Sequence, residues 1–173
     1  MEGLEVVENK MITIIIISAI VICIGVLFME WYHLYRNKQK EKTKISFKEG
    51  LDLTELPIVT FNQGGTKLHF LLDTGSNISY IDSSVLPNIK ATDLNECSNT
   101  FGVEGTGIET HHYNIEIGYK DQTFVEEFGA VDFSGAFGAI EKSSGIKLHG
   151  IIGNRFFEKY KYVLDFRELI AYR

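Results

Sequence analysis

Hydrophobic positions fall in two regimes along this chain. From Met11 to Met29 no residue is charged, and Ile, Val, Leu, Phe and Met dominate. Nineteen residues of helix at about 1.5 Å each span about 28 Å, which matches the apolar layer of a bilayer. Trp31, Tyr32 and Tyr35 follow, where aromatic rings favour the membrane interface. The pattern predicts an acidic N-terminal tail over 1–10, a transmembrane helix over 11–31, a basic linker over 32–47 and a folded domain over 48–173. A cleaved signal peptide is the alternative. It fits less well, because Glu2, Glu5 and Glu8 make the start acidic and no small-x-small cleavage site follows the run. A buried core helix seldom lacks polar residues for so long.

Beyond about Ile45 the periodicity changes to short, strand-like segments. Leu56–Phe61 and Lys67–Leu72 flank Asn62-Gln63-Gly64-Gly65, a hairpin signal. Ile78–Ile81 is a further strand. The polar stretch from there to Asn99, with Pro87, reads as loop with one short turn. Phe101–Ile108 reads as a Gly-rich hairpin tip. Tyr113–Ile117 alternates as a half-buried strand does, and Thr123–Val125 and Phe128–Val131 are two more strands. Ser134–Ser144 is small, Gly-rich and weakly patterned, so it reads as loop. Asn154 is an N-cap candidate for a short helix over Arg155–Tyr160. Tyr162–Phe166 and Leu169–Tyr172 close the chain as strands. No internal repeat is visible, and many short strands with frequent glycines predict an all-β domain, a small closed barrel or sandwich.

Charge and cysteine content narrow the function. The chain has 173 residues and a net charge of −6, so nucleic acid is excluded as a partner on electrostatic grounds. Lys10 is the one basic residue before the apolar run, whereas Arg36, Lys38, Lys40, Lys42 and Lys44 follow it. The positive-inside bias places the N-terminus outside and the C-terminal domain in the cytosol. The basic run suits contact with anionic membrane lipid, or serves simply as a solvated linker. An extracellular or periplasmic domain is the alternative should the lysine bias mislead. Cys97 is the only thiol beyond the apolar run, so no disulfide framework exists in the folded part.

The chemistry concentrates at Leu71-Leu72-Asp73-Thr74-Gly75-Ser76. Two apolar residues deliver an Asp at a strand end, followed by a small hydroxyl residue and Gly. This order holds a carboxylate near backbone N–H groups with few side chains in the way, and such a carboxylate can activate water. Far downstream lies Gly150-Ile151-Ile152-Gly153-Asn154-Arg155-Phe156-Phe157, and a Gly-rich hairpin lies between. In this order the three elements resemble the retropepsin-like aspartic proteases, over roughly Leu56 to Tyr172. The resemblance implies a small closed acid-protease barrel with one short C-terminal helix. It implies that Asp73 is the catalytic residue, and that Ile151, Ile152 and Gly153 form the floor beside the Asp-Thr-Gly loop. It implies that Gly102, Val103, Gly105, Thr106, Gly107 and Ile108 belong to a flap that closes over substrate. Thr74 would reach the backbone of an opposing loop, and Gly75 would admit N–H groups without a Cβ clash. Alanine is frequent in the family at the position of Ser76; the hydroxyl here is expected to bond the outer carboxylate oxygen and lower the working pH.

One carboxylate is too few for that chemistry. Two about 3 Å apart share a proton, one taking a proton from water while the other donates to the scissile carbonyl. Asp132-Phe133-Ser134-Gly135 is a near-copy with Phe133 spoiling the spacing, and Asp165-Phe166-Arg167 lacks the Gly. A second copy of the chain is therefore expected to bring the second Asp73, through a twofold homodimer. The expected activity is endopeptidase cleavage of a peptide or protein substrate, with no cofactor and no metal. His111 and His112 are adjacent and point to opposite faces of a strand, so the pair cannot chelate one ion. The rival reading is a non-catalytic, membrane-tethered peptide-binding or dimerisation module on the same fold. The retroviral members have shorter domains with intertwined chain ends, so the mode of dimerisation here is left open.

Overall fold

The computed structural model describes residues 16–35, 43–101 and 107–173. Two compact units are present, 1–41 and 42–173. In the first, α1 (Ile16–Tyr35) is 20 residues long with mean hydropathy 1.9 and no buried residues. It is long and apolar enough to cross a membrane, a property it shares with signal sequences.

The second unit is built on β1 (Ile45–Ser46), α2 (Lys48–Thr54), β2 (Ile58–Gln63), β3 (Thr66–Leu72), β4 (Ser79–Asp82), a 3-10 turn at Leu86–Asn88, β5 (Ala91–Phe101), β6 (Gly107–Tyr119), β7 (Gln122–Val131), α3 (Ser134–Ser144), β8 (Gly150–Ile152), α4 (Asn154–Tyr160), β9 (Val163–Asp165) and β10 (Ile170–Tyr172). Seven strands join in the order β2-β3-β8-β4-β7-β6-β5. Asn62 of β2 also pairs with Gly118 of β6, which closes the sheet into a barrel. A separate three-stranded sheet, β1-β10-β9, joins the two ends of this unit.

The alternation seen in the sequence builds the core. Val59, Phe61, Leu68, Phe70 and Leu72 point inward from β2 and β3 and are buried. Their turn, Gly64-Gly65, has φ of 56° and 91°, which glycine adopts without strain. Phe61 meets Phe70, Phe124 and Phe156 at centroid distances of 5.9, 6.0 and 6.2 Å, each edge-on. Such pairs contribute roughly 0.5–1.5 kcal/mol each beyond their buried area.

Several expectations are corrected. The polar stretch before Asn99 is loop with a short 3-10 turn only as far as Lys90; from Ala91 it is β5, held by its ladder to β6 from Ala91↔Ile115 to Phe101↔Gly107. Its side chains are mostly exposed, so no apolar alternation marks it. The two short strands expected at 123–131 are one continuous β7. The stretch Ser134–Ser144 is a helix: Phe137 is buried, Ile140 packs beside it, and Gly145 at φ 75° closes the end by donating to the Glu141 carbonyl. A further helix, α2, precedes the barrel, so the described residues of the domain form three α-helices rather than one. Ile45 and Phe47, expected at the end of the linker, are buried in the core.

Candidate active site

Parallel pairing of β3 with β8 creates the site. Leu71↔Ile151 and Leu72↔Ile152 are in register, so the two strands end together and their following loops lie side by side. The Asp73 N–H donates to the Ile152 carbonyl at 3.0 Å. The loop then turns back, and its own backbone anchors α4: Asn154 N donates to Ser76 O at 2.8 Å and Arg155 N to Asn77 O at 3.1 Å. Asn154 is not the N-cap expected of it. Gly153 occupies that position, and the Asn154 amide instead donates to the Thr74 carbonyl at 2.6 Å.

Asp73 sits half-buried at the strand end, with Thr74 and Gly75 exposed beyond it. Its Oδ1 accepts the Gly75 N–H at 2.8 Å. A Cβ on Gly75 would stand 3.1 Å from that oxygen, so the glycine lets the loop curl over the carboxylate. Ser76 does not do what its hydroxyl suggests. It donates to the Ile78 carbonyl at 2.7 Å, within its own loop, instead of to Asp73. The floor is tight at Gly153, where a Cβ would collide with the Ile78 carbonyl and come within 3.0 Å of the Ser76 carbonyl.

Beneath the floor lies a polar relay that the sequence did not reveal. Gly153 N donates to the Ser79 hydroxyl at 3.2 Å, and that hydroxyl donates to Oε1 of buried Glu126 at 3.2 Å. Burial holds the Glu126 carboxyl above its ordinary range, opposed by the Lys159 ammonium 3.4 Å from Oε2. The one trace of it in the sequence is the alternation Phe124-x-Glu126-x-Phe128, which puts Glu126 on the inward face of β7.

The other aspartates weighed for the site are committed elsewhere. Asp132 accepts the Ser134 N–H at the start of α3, and Asp165 accepts N–H groups of Arg167 and Glu168. Gly107 and Ile108 open β6, whereas Gly102, Val103, Gly105 and Thr106 lie outside the described residues. His111 and His112 do point apart. His112 is buried against Ser98 and Glu127, and His111 is exposed beside Cys97.

His69 and His149 lie together at the end of the β3/β8 pair away from Asp73, just before Phe70 and Gly150. His69 N donates to His149 Nδ1 at 3.0 Å, and His149 N returns a bond to the His69 carbonyl at 2.8 Å. Burial lowers both imidazoles from 6.5, helped for His149 by the His69 and Lys147 charges and for His69 by Lys67. The fold therefore favours the neutral rings. Their contribution is fully present above pH 6.5 and is lost as pH falls below that value through the lower folded pKa values, because the unfolded chain binds the protons first. The urea midpoint of the detergent-solubilised chain is expected to fall from pH 7.5 to about 5, and less steeply in a His69→Gln/His149→Gln variant. Parallel slopes in the two proteins would show that the pair does not titrate in this way.

The retrovirus-related Pol polyprotein from transposon 412 of Drosophila melanogaster is 33% identical over 107 residues, or 60% of this chain. The closed sheet, with the Asp-Thr-Gly loop beside Ile151–Gly153, is the fold that the resemblance implies. The domain is retropepsin-like. The chain spans 8% of the polyprotein's length. Among solved structures, the EIAV protease complexed with the inhibitor HBY-793 is similar at 18% identity and a TM-score of 0.45, covering 64% of this chain and 92% of that one. No family model matches.

Proposed function

We propose that this chain is an aspartic endopeptidase whose working form is a homodimer, with Asp73 of each subunit in one dyad. The observation that carries the reading is the placement of Asp73: a single loop carboxylate, half-buried and held by the Gly75 N–H, with exposed Thr74 and Gly75 leaving the loop free to meet its twofold image. In the dimer the two carboxylates share one proton. The ionised member takes a proton from water, the water oxygen attacks the scissile carbonyl, and the neutral member donates its proton to the carbonyl oxygen. Thr74 reaches the partner loop, while Ile151, Ile152 and Gly153 hold the floor beneath the dyad. The β5–β6 hairpin and its tip close over an extended peptide, which pairs with it in β fashion. No cofactor takes part. Helix α1 anchors the chain, with the N-terminus outside and the domain on the cytosolic side, as the basic residues after it favour. Confinement to a surface raises the effective concentration of partners and so promotes the dimer.

Subunit mixing tests the shared dyad. Wild type and Asp73→Asn are co-expressed in equal amounts and purified together, and cleavage of an extended peptide is measured per mole of protein. A shared dyad leaves about one quarter of wild-type activity, because one in four random dimers holds two carboxylates, whereas a self-sufficient protomer leaves about one half. A value near one half removes the dimer from the mechanism.

A further inference from the structure

The β5–β6 hairpin carries three metal-binding side chains that peptide hydrolysis does not use. Cys97 and His111 are partners across the ladder. Cys97 Sγ lies 3.3 Å from His111 Nδ1 and 3.9 Å from Nε2. Glu109 stands two residues before His111 on β6, hence on the same face. One ligand atom from each of the three lies within 4.8 Å of the others, and all three side chains are open to solvent.

A break in the ladder sets this juxtaposition. The register shifts between Asp93 and Cys97, where Asn95 takes φ 54° and its N–H is captured by Asp93 Oδ1 at 2.7 Å. Bulges of this kind re-aim the side chains that follow. Here the outcome divides the hairpin's polar groups by face. Ser98 and His112, 2.7 Å apart, take one face, and Cys97 with His111 takes the other.

We propose that Cys97, Glu109 and His111 form a binding site for a zinc-class divalent cation, with three protein ligands and one position left open. A thiolate with an imidazole selects a borderline-soft ion over magnesium or calcium. In a tetrahedral site with metal–sulfur and metal–nitrogen bonds of about 2.3 and 2.0 Å, the two donor atoms stand about 3.5 Å apart. The 3.3 Å separation found here thus needs an adjustment of a few tenths of an ångström. Binding forms the metal–sulfur bond, breaks S–H and releases that proton to solvent, with no change of oxidation state. The bound ion would tie β5 to β6 between the barrel and the hairpin tip. A simple S–H···N hydrogen bond gives the same short contact without an ion, so the test must read ligation itself.

Cobalt(II) supplies that reading as a spectroscopic stand-in for zinc. The full chain in detergent, carrying Cys23→Ser so that Cys97 is the only thiol, is titrated with cobalt(II). One equivalent is expected to bind and to produce the thiolate-to-cobalt charge-transfer band together with the visible absorption of a tetrahedral ion. Zinc(II) should displace it. Cys97→Ser should abolish the band, and His111→Ala and Glu109→Gln should each weaken binding at least tenfold, roughly as loss of a supporting group alone does. All three positions are exposed, and matching thermal melts show that the variants are folded. No band at millimolar cobalt, a band that survives Cys97→Ser, or a band indifferent to both other substitutions overturns the site. Peptidase activity enters none of these measurements, so the outcome is independent of the dyad.

Discussion

Asp73→Asn is expected to lower peptide hydrolysis by a factor on the order of 10³ or more while leaving the fold intact. The two halves of that expectation have different causes. The contact that Asp73 makes within its own loop asks only for an acceptor: Oδ1 receives the Gly75 N–H at 2.8 Å. An amide oxygen of the same shape can receive it as well, so the loop keeps its conformation and the melting temperature should stay within about 2 °C, as a near-neutral substitution does. The reaction asks for more. A dimer of the variant presents two amides where the dyad needs one group to take a proton from water and another to give one to the carbonyl, and an amide does neither. Peptide binding should persist, because the hairpin and floor are untouched. The measurement is kcat for an extended peptide, with binding followed separately by fluorescence anisotropy. Hydrolysis undiminished in the variant would remove Asp73 from the chemistry, whereas binding with no hydrolysis by either protein would assign this chain to the non-catalytic, peptide-binding class.

The parts of this protein legible in its sequence are those where side-chain pattern and backbone need coincide. Phe61, Leu68 and Phe70 alternate with polar neighbours because their faces of β2 and β3 are buried. Gly64-Gly65 marks the turn because both residues take positive φ. The apolar run from Met11 to Met29 stands out by composition alone, and its described part lies in α1. What failed to register was structure held by the backbone alone. Strand β5 is polar along most of its length and exists through its ladder with β6, so Cys97 was read as a loop residue and its cross-strand meeting with His111 was out of reach. Helix α3 contains Gly135 and Gly138, which argue against helix locally, but Phe137 and the αL glycine at 145 outweigh them. In the site, the Asp73 loop could be recognised by residue type. Its seat could not: no spacing rule places Ile152 beside Leu72, and only the family resemblance brought the two segments together. The Ser79–Glu126 relay left only a faint trace, Glu126 falling between Phe124 and Phe128 in the alternation of β7, and nothing in the sequence joined it to Ser79.

Gly153→Ala should be among the most damaging single-methyl changes in the domain, and its cause is visible at atomic scale. The added Cβ would collide with the carbonyl of Ile78 and approach that of Ser76 to 3.0 Å. Both neighbours are main chain, in the loop that carries Asp73, so neither can swing aside as a flexible side chain would. Relief requires the Asp73 loop to lift from the end of β8. That movement stretches the bonds from Asn154 N to Ser76 O and from Gly153 N to the Ser79 hydroxyl. Overpacking against immobile neighbours costs about 3 kcal/mol, the upper part of the usual range. For a domain of this size that is a fall of roughly 10 °C in melting temperature. Activity should fall further than stability, because displacement of a catalytic group by about 1 Å costs on the order of 10²-fold. Gly135→Ala is the control: this exposed position in α3 has nothing near its Cβ, so the change should be neutral or stabilise by up to about 1 kcal/mol. Opposite signs for the two glycines, read by thermal denaturation of the full chain, are the expected result. Equal melting temperatures for Gly153→Ala and wild type would mean that the floor does not press on the Asp73 loop, and the coupling of β8 to the Asp73 carboxylate would fail with it.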